Sequence, residues 1–168
     1  LEQALQQQQS IVNWRVARFS RDVHWNTRAR GYRLPTEAEW EYCARAGEEH
    51  LYAGSDLLDE VGWYTGNSDR KSHCVGQKKS NAWGLYGMSG NVFEWVWDTA
   101  EMRETWQLDE KSLYTSEDCI DPVVQSEGTL RILRGASWRN GANMNRISSR
   151  YRYCSSVRAA LFGFRFVL

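Results

Sequence analysis

Cysteine is scarce and scattered. Cys43, Cys74, Cys119 and Cys154 form no C-x-x-C pair and stand in no Cys/His cluster at zinc-ligand spacing, which excludes a structural zinc site. The three histidines, His24, His50 and His73, are equally isolated, so a His-centred triad could arise only by convergence in space. Ser89 lies in Gly-Met-Ser-Gly-Asn, without the G-x-S-x-G spacing of a nucleophile elbow. With 2 Pro, 13 Gly and 42% hydrophobic residues, collagen, coiled coil and low complexity are excluded. No apolar run approaches the roughly 20 residues that cross a bilayer, and no signal-peptide core is present. Aliphatic residues are also few. Leu, Ile, Val and Phe together number 33, close to the composition at which disorder is considered.

Aromatics compensate. Nine Trp and eight Tyr bury large areas while keeping one polar handle each, which predicts a core of rings and hydrogen-bonded loops in place of aliphatic layers. A length of 168 residues fits one domain or slightly more. The formal charge is zero, yet it divides unevenly. Residues 131–168 contain eight Arg, no Lys and no acid, giving +8; the first 130 hold 13 basic and 21 acidic residues, giving −8. Such asymmetry means that the tail either meets an acidic partner or folds against the acidic body.

The strongest local signal is Arg33-Leu-Pro-Thr-Glu-Ala-Glu-Trp-Glu-Tyr-Cys-Ala-Arg-Ala-Gly47. Thr36 with Glu39 makes a capping box, and Leu34 and Pro35 with Trp40 make a hydrophobic staple. The spacing predicts a helix from Glu37 to Ala46, with Gly47 in the left-handed position after it and Trp40, Cys43 and Ala44 on the inward stripe. Glu37 and Glu41 are an i,i+4 carboxylate pair, read as serving the helix dipole and solvation, not as a glycosidase-like acid/base pair. Elsewhere, residues 13–30 read as extended pieces around a turn and 51–75 as turn-rich. Val92–Trp97 reads as a strand after a glycine-punctuated loop. Thr99–Leu130 reads as a polar surface excursion with a turn at Asp121-Pro122. Arg131–Arg134 reads as a short strand and Phe162–Leu168 as the closing strand, with an irregular basic stretch between them. No internal repeat is visible.

Three ordered segments, Tyr32–Tyr42, Asn81–Trp95 and Arg134-Gly-Ala-Ser-Trp138, ending in Gly163-Phe-Arg165, resemble the formylglycine-generating-enzyme (sulfatase-modifying factor) family. The resemblance implies an α+β variant of the C-type lectin fold: a small twisted sheet, few helices, and many loops held by buried aromatics and Arg. It implies a domain over residues 31–168 and an N-terminal segment, 1–30, that begins the fold incompletely. The family enzyme uses a cysteine pair just after its Arg-Gly-Gly-Ser motif to bind copper and oxidise a substrate cysteine. Here Arg134-Gly-Ala-Ser-Trp138 is followed by Arg139, Asn140, Gly141, Ala142, Asn143, Met144 and Asn145. No amide replaces a thiolate as nucleophile or soft ligand, so that chemistry is not expected.

The stretch from Ser137 to Arg165 also resembles the variable region of diversity-generating-retroelement proteins. There, template adenines in AAC codons mutate to give any codon ending in C, a set without Glu, Gln, Lys, Met or Trp. Residues 139–161 contain no Glu, Gln, Lys or Trp, and Met144 alone falls outside the set. The resemblance implies diversified, ligand-binding positions at Arg139, Asn140, Gly141, Asn143, Ser149, Tyr151, Arg152, Tyr153, Cys154, Val157, Ala159, Ala160 and Leu161. Ala142, Arg146, Ser148, Arg150, Ser156 and Arg158 would be scaffold. The expected function is recognition of a protein or other macromolecular ligand at a cell surface, without catalysis; the alternative is a family enzyme of altered chemistry. Nucleic acid, the other partner that Arg interleaved with Tyr could serve, is opposed by the acidic first part of the chain. The family resemblance further implies a Ca2+ loop at Gly87, Gly90, Val92 and Glu94, lacking one side-chain ligand because Gly87 replaces the usual Asn or Asp. Equally, Glu94 could simply hydrogen-bond the turn.

Overall fold

A computed structural model describes residues 25–26, 30–100, 122–124 and 130–168. The expected N-terminal pieces and most of the acidic excursion, including the Asp121 half of its turn, lie outside the described residues.

Helix α1 spans Glu37–Arg45. The capping box forms: the Glu39 amide donates to Thr36 Oγ1, and the Thr36 amide donates to the Glu39 carboxylate. Arg33 grips the same carboxylate through both guanidinium nitrogens, so this N-terminus is closed by charge as well as by a cap. The helix ends one residue before the expected position. Ala46 already adopts the left-handed conformation (φ 50°) and Gly47 follows it (φ 80°). Trp40 and Ala44 are buried as the stripe predicts, and Cys43 is half-buried against the same cluster.

A four-residue helix, α2 (Leu58–Val61), has no sequence signal because one turn is too short for periodicity. Strand β1 is Phe93–Ala100, longer than expected and taking in Thr99 and Ala100. β2 is Leu130–Arg134, β3 Tyr151–Cys154 and β4 Phe162–Phe164. They form one mixed sheet in the order β3-β2-β1-β4, with β4 parallel to β1 and the other pairs antiparallel. β3 replaces part of the stretch expected to be irregular. Its Tyr-Arg-Tyr-Cys sequence pairs Tyr151 with Leu133 and Arg152 with Ile132. The closing strand is shorter than expected: Val167 makes an isolated bridge to Arg33 beyond it. Where the β1–β2 register breaks between Trp95 and Thr99, the Trp97 amide donates to Pro35 O, tying the bulge to the entry of α1.

The core consists of small apolar groups joined by polar bolts. Trp40 and Ala44 pack with Met88, Val96, Ile132 and Ile147 under α1. Phe93, Leu133, Ala136 and Tyr151 form a second cluster, and Tyr52, Leu58 and Val61 a third. Arg134 crosses between the parts. Its side chain is fully buried, with Nη1 2.9 Å from Glu37 Oε1 and Nη2 donating to Glu41 Oε2 (2.6 Å) and Ile147 O (2.7 Å). Its guanidinium also lies 5.0 Å from the Trp40 ring centroid. Arg150 meets Glu37 at 2.6 Å, and Arg165 clasps Glu94 with two 2.6 Å bonds. Asp98, also buried, accepts from the Glu37 and Val124 amides. Burial pushes its carboxyl up to about 6.

Candidate functional site

The segment from Ser137 to Leu161 leaves the sheet at the end of β2 through Gly135 (φ 83°) and Ala136 (φ 58°). A Cβ at residue 135 would lie 3.2 Å from Met88 O and 3.3 Å from the Trp40 ring, so glycine there serves both conformation and close approach. The chain beyond is fastened to the body by backbone atoms. The Trp138 amide donates to Asn91 O (2.8 Å), the Thr65 amide to Asn140 O (3.0 Å) and the Ile147 amide to Leu51 O (2.9 Å). Ser68 Oγ donates to Trp138 O (2.9 Å). A 3-10 turn at Ala142–Asn145 follows. The fully buried Asn145 closes it by donating from Nδ2 to Gly141 O (2.7 Å).

On this fastened path nine of the thirteen positions expected to vary fall into an exposed and a half-buried group. Arg139, Asn143, Tyr153, Ala159 and Ala160 are exposed. Gly141, Cys154, Val157 and Leu161 are half-buried. The Cys154 thiol is held below its usual range by the Ser156 hydroxyl, 3.0 Å away. Two exposed positions touch half-buried rings from elsewhere in the segment or just beyond it. The Trp138 indole N–H donates to Ala160 O (3.5 Å), and the Tyr153 ring lies 5.4 Å from Phe162. These contacts link Trp138, the neighbour of Arg139, to Ala160, and Tyr153 to Phe162, two residues beyond Ala160.

Three expected surface positions are corrected. Tyr151 is 1% exposed and Arg152 3%. Tyr151 packs edge-on against Phe93 at 5.1 Å, and its hydroxyl donates to Met144 O (2.8 Å). Ser149 is buried as well. The β2 partners of Tyr151 and Arg152, Leu133 and Ile132, are themselves buried, so the first two positions of β3 are covered while Tyr153 further along the strand stays exposed. Asn140 is half-buried and its Oδ1 accepts from the Ser137 amide (3.0 Å) and hydroxyl, so its carboxamide also holds the turn. Arg146, expected to be scaffold, is exposed instead.

The charge asymmetry resolves into two parts. Arg134, Arg150 and Arg165 are neutralised by Glu37, Glu41 and Glu94 of the acidic body. Arg131 donates to Trp97 O and stacks over that ring at 5.1 Å. Arg139 and Arg158 stay in solvent like Arg146. Beside Arg139 lies an open cleft of about 550 Å³ lined by Thr65, Arg70, Trp138 and Arg139. The 65–70 turn that supplies one wall was legible in the sequence only as turn-rich, and Arg70 was not singled out.

The residues expected to hold Ca2+ do not fit that ion. Both Glu94 oxygens are engaged, Oε2 by Trp40 Nε1 (2.7 Å) and by Arg165, and Oε1 by Arg165. A carboxylate already neutralised by a guanidinium is a poor ligand for a hard cation. Gly90 (φ 84°) serves packing: a Cβ there would stand 2.3 Å from Trp63 O. The Glu94 carboxylate does not bond the turn either: its partners are Trp40 of α1 and Arg165 after β4.

The sulfatase-modifying factor enzyme 1-like domain model matches residues 7–168. The chain belongs to this family. It is 36% identical over 143 residues to the chaperone protein LppX of Paenibacillus barcinonensis, covering 73% of this chain and 44% of the relative. It is 30% identical over 158 residues to the formylglycine-generating enzyme of Thermomonospora curvata, covering 80% and 48%. Among solved structures, Treponema denticola variable protein 1 matches with a TM-score of 0.74 and 34% identity, covering 88% of this chain and 52% of that one. The chain thus spans about half the length of these two curated relatives. Its sheet, few helices and bolted loops are the family's variant of the C-type lectin fold. Among the described residues, no helix is long and apolar enough to cross a membrane.

Proposed function

We propose that this member of the sulfatase-modifying-factor family is a non-enzymatic binding protein, displayed at a cell surface, whose segment 139–161 is diversified to recognise macromolecular ligands. The observation that carries the reading is the exposure of Arg139, Ala160 and Tyr153 on a backbone fastened by the amides of Trp138, Thr65 and Ile147. A surface whose shape does not depend on its own side chains tolerates their replacement, and loops on a rigid frame are where binding sites accumulate. Tyr and Arg make good anchors because they combine flat area with directional donors. The structural likeness to a variable protein supports the same reading. The diversified set is refined to Arg139, Asn143, Tyr153, Ala159 and Ala160, with Gly141, Cys154, Val157 and Leu161 at its margin.

The absence of Cys between Arg134 and Tyr153 argues against the family oxidase, which needs thiolates at that point. Two tests follow. The gene neighbourhood should contain a near-copy of the codons for residues 137–165, with AAC at the variable positions, beside a reverse transcriptase; without it, diversification is abandoned. An assay of cysteine-to-formylglycine conversion with added copper should show no turnover, and turnover would replace the binding reading with the enzymatic one.

A further inference from the structure

We propose that the cleft between the 65–70 turn and Trp138–Arg139 takes a carboxylate-rich peptide segment, with Arg70 as an anion anchor outside the variable stretch and Arg139 as a replaceable one. This rests on the ligand-binding reading and adds the chemical class of the ligand. The cleft has the size of ordinary ligand sites, roughly 300–1,000 Å³. Among the described residues, neither the Arg70 nor the Arg139 guanidinium meets a carboxylate or an acceptor. Each is an unneutralised forked donor lining the same concavity, and a ligand bearing carboxylates supplies the acceptors that the forks lack.

The Arg70 wall is held in place. Asp69 and Arg70 both adopt left-handed backbone (φ 51° and 59°), a conformation that non-glycine residues keep only when their surroundings enforce it. The surroundings here are Ser68, whose hydroxyl donates to Trp138 O and whose carbonyl meets a His73 ring nitrogen at 2.8 Å. The turn that carries Arg70 is thereby bolted to the residue next to Arg139. Trp138, half-buried in the same lining, gives an apolar surface for the stem or backbone of an acidic peptide. A long polyanion fits less well, because among the described residues the cleft lining offers only two Arg, enough for a short acidic segment.

The test titrates the full chain with a hexaglutamate peptide in low salt, followed by calorimetry, with hexaglutamine and an oligothymidylate as comparison probes. Arg70→Gln and Arg139→Gln should each weaken hexaglutamate binding by about five-fold or more, as loss of one charge-assisted contact implies. Arg158→Gln, an exposed charge that does not line the cleft, should change it by less than about two-fold. Unchanged thermal unfolding of all three variants shows that folding is intact. No binding of hexaglutamate, equal losses in the three variants, or tighter binding of oligothymidylate overturns the proposal. None of these results touches the template copy beside a reverse transcriptase, so the broader reading stands or falls separately.

Discussion

Replacing Arg134 with Met should be among the most damaging single changes in the described chain. Met fills a similar volume and keeps apolar contact with Trp40, so the loss isolates the charge. Glu37, fully buried, would keep Arg150 but lose its Arg134 partner, while Glu41 would keep the exposed Arg45. The Ile147 carbonyl loses its donor altogether from this side. Removing one member of a buried ion pair costs about 3–5 kcal/mol, most of it the penalty on the charge left behind. At about 2–4 °C per kcal/mol for a chain of this size, the midpoint should fall by roughly 6–20 °C. Urea and thermal unfolding followed by tryptophan fluorescence would measure it. Glu37→Gln, made alone and in the Arg134→Met background, completes a double-mutant cycle: because Glu37 also holds Arg150, the second change still costs stability, but less than it does when Arg134 is present. If Arg134→Met costs under about 1 kcal/mol, or the two changes add within about 0.5 kcal/mol, the charge network is not what joins helix to sheet.

The raised Asp98 carboxyl sets a pH dependence of opposite sign to that of the paired glutamates. With a folded value of about 6 against 3.8 for the free group, the native state binds the extra proton, so this residue's contribution to stability improves as pH falls from 7 to 5. Over that window the gain is about 1 kcal/mol, the full ~3 kcal/mol being reached only below the free-group value, and the stability difference between the parent and Asp98→Asn should shift by that sign in urea titrations at the two pH values. A flat difference would contradict the burial argument. Tyr153→Ala should move the unfolding midpoint by under about 2 °C, whereas Tyr151→Ala should cost about 3–5 kcal/mol through the lost core ring; calorimetry of both variants checks where the variable surface stops. Gly90→Ala should cost well over about 2 kcal/mol because its Cβ meets Trp63 O, while Gly87→Ala, with the same left-handed strain in open space, should cost about 1 kcal/mol. Chemical denaturation of the pair separates the clash from the strain, and equal losses would refute the close approach.

Local signals in the sequence carried α1 almost to the residue, because capping needs only Thr36, Glu39 and their immediate neighbours. β1 and β2 were legible from Val and aromatic content, since half-covered strands select those residues. β3 was not. Tyr-Arg-Tyr-Cys offers no apolar alternation, and its strand state depends on β2, some twenty residues away. That single miss produced the misplacement of Tyr151 and Arg152. The Arg134–Glu37 bolt spans 97 positions, so charge counting could predict that the tail folds against the body but not which pairs meet. Arg70 was unmarked because its importance comes from a turn whose anchor, Trp138 O, lies on the far side of the sequence.

The fastenings of the 137–161 segment are made largely by amides and carbonyls, at Trp138, Thr65–Asn140 and Ile147–Leu51. Main-chain atoms are the same whichever codon is translated. A gene can therefore rewrite what such a loop touches without rewriting where the loop runs, so long as the few side chains that do hold it, Asn140 and Asn145 among them, are left alone. Shape and specificity are stored in different atoms of the same residues, and mutation reaches only one of the two.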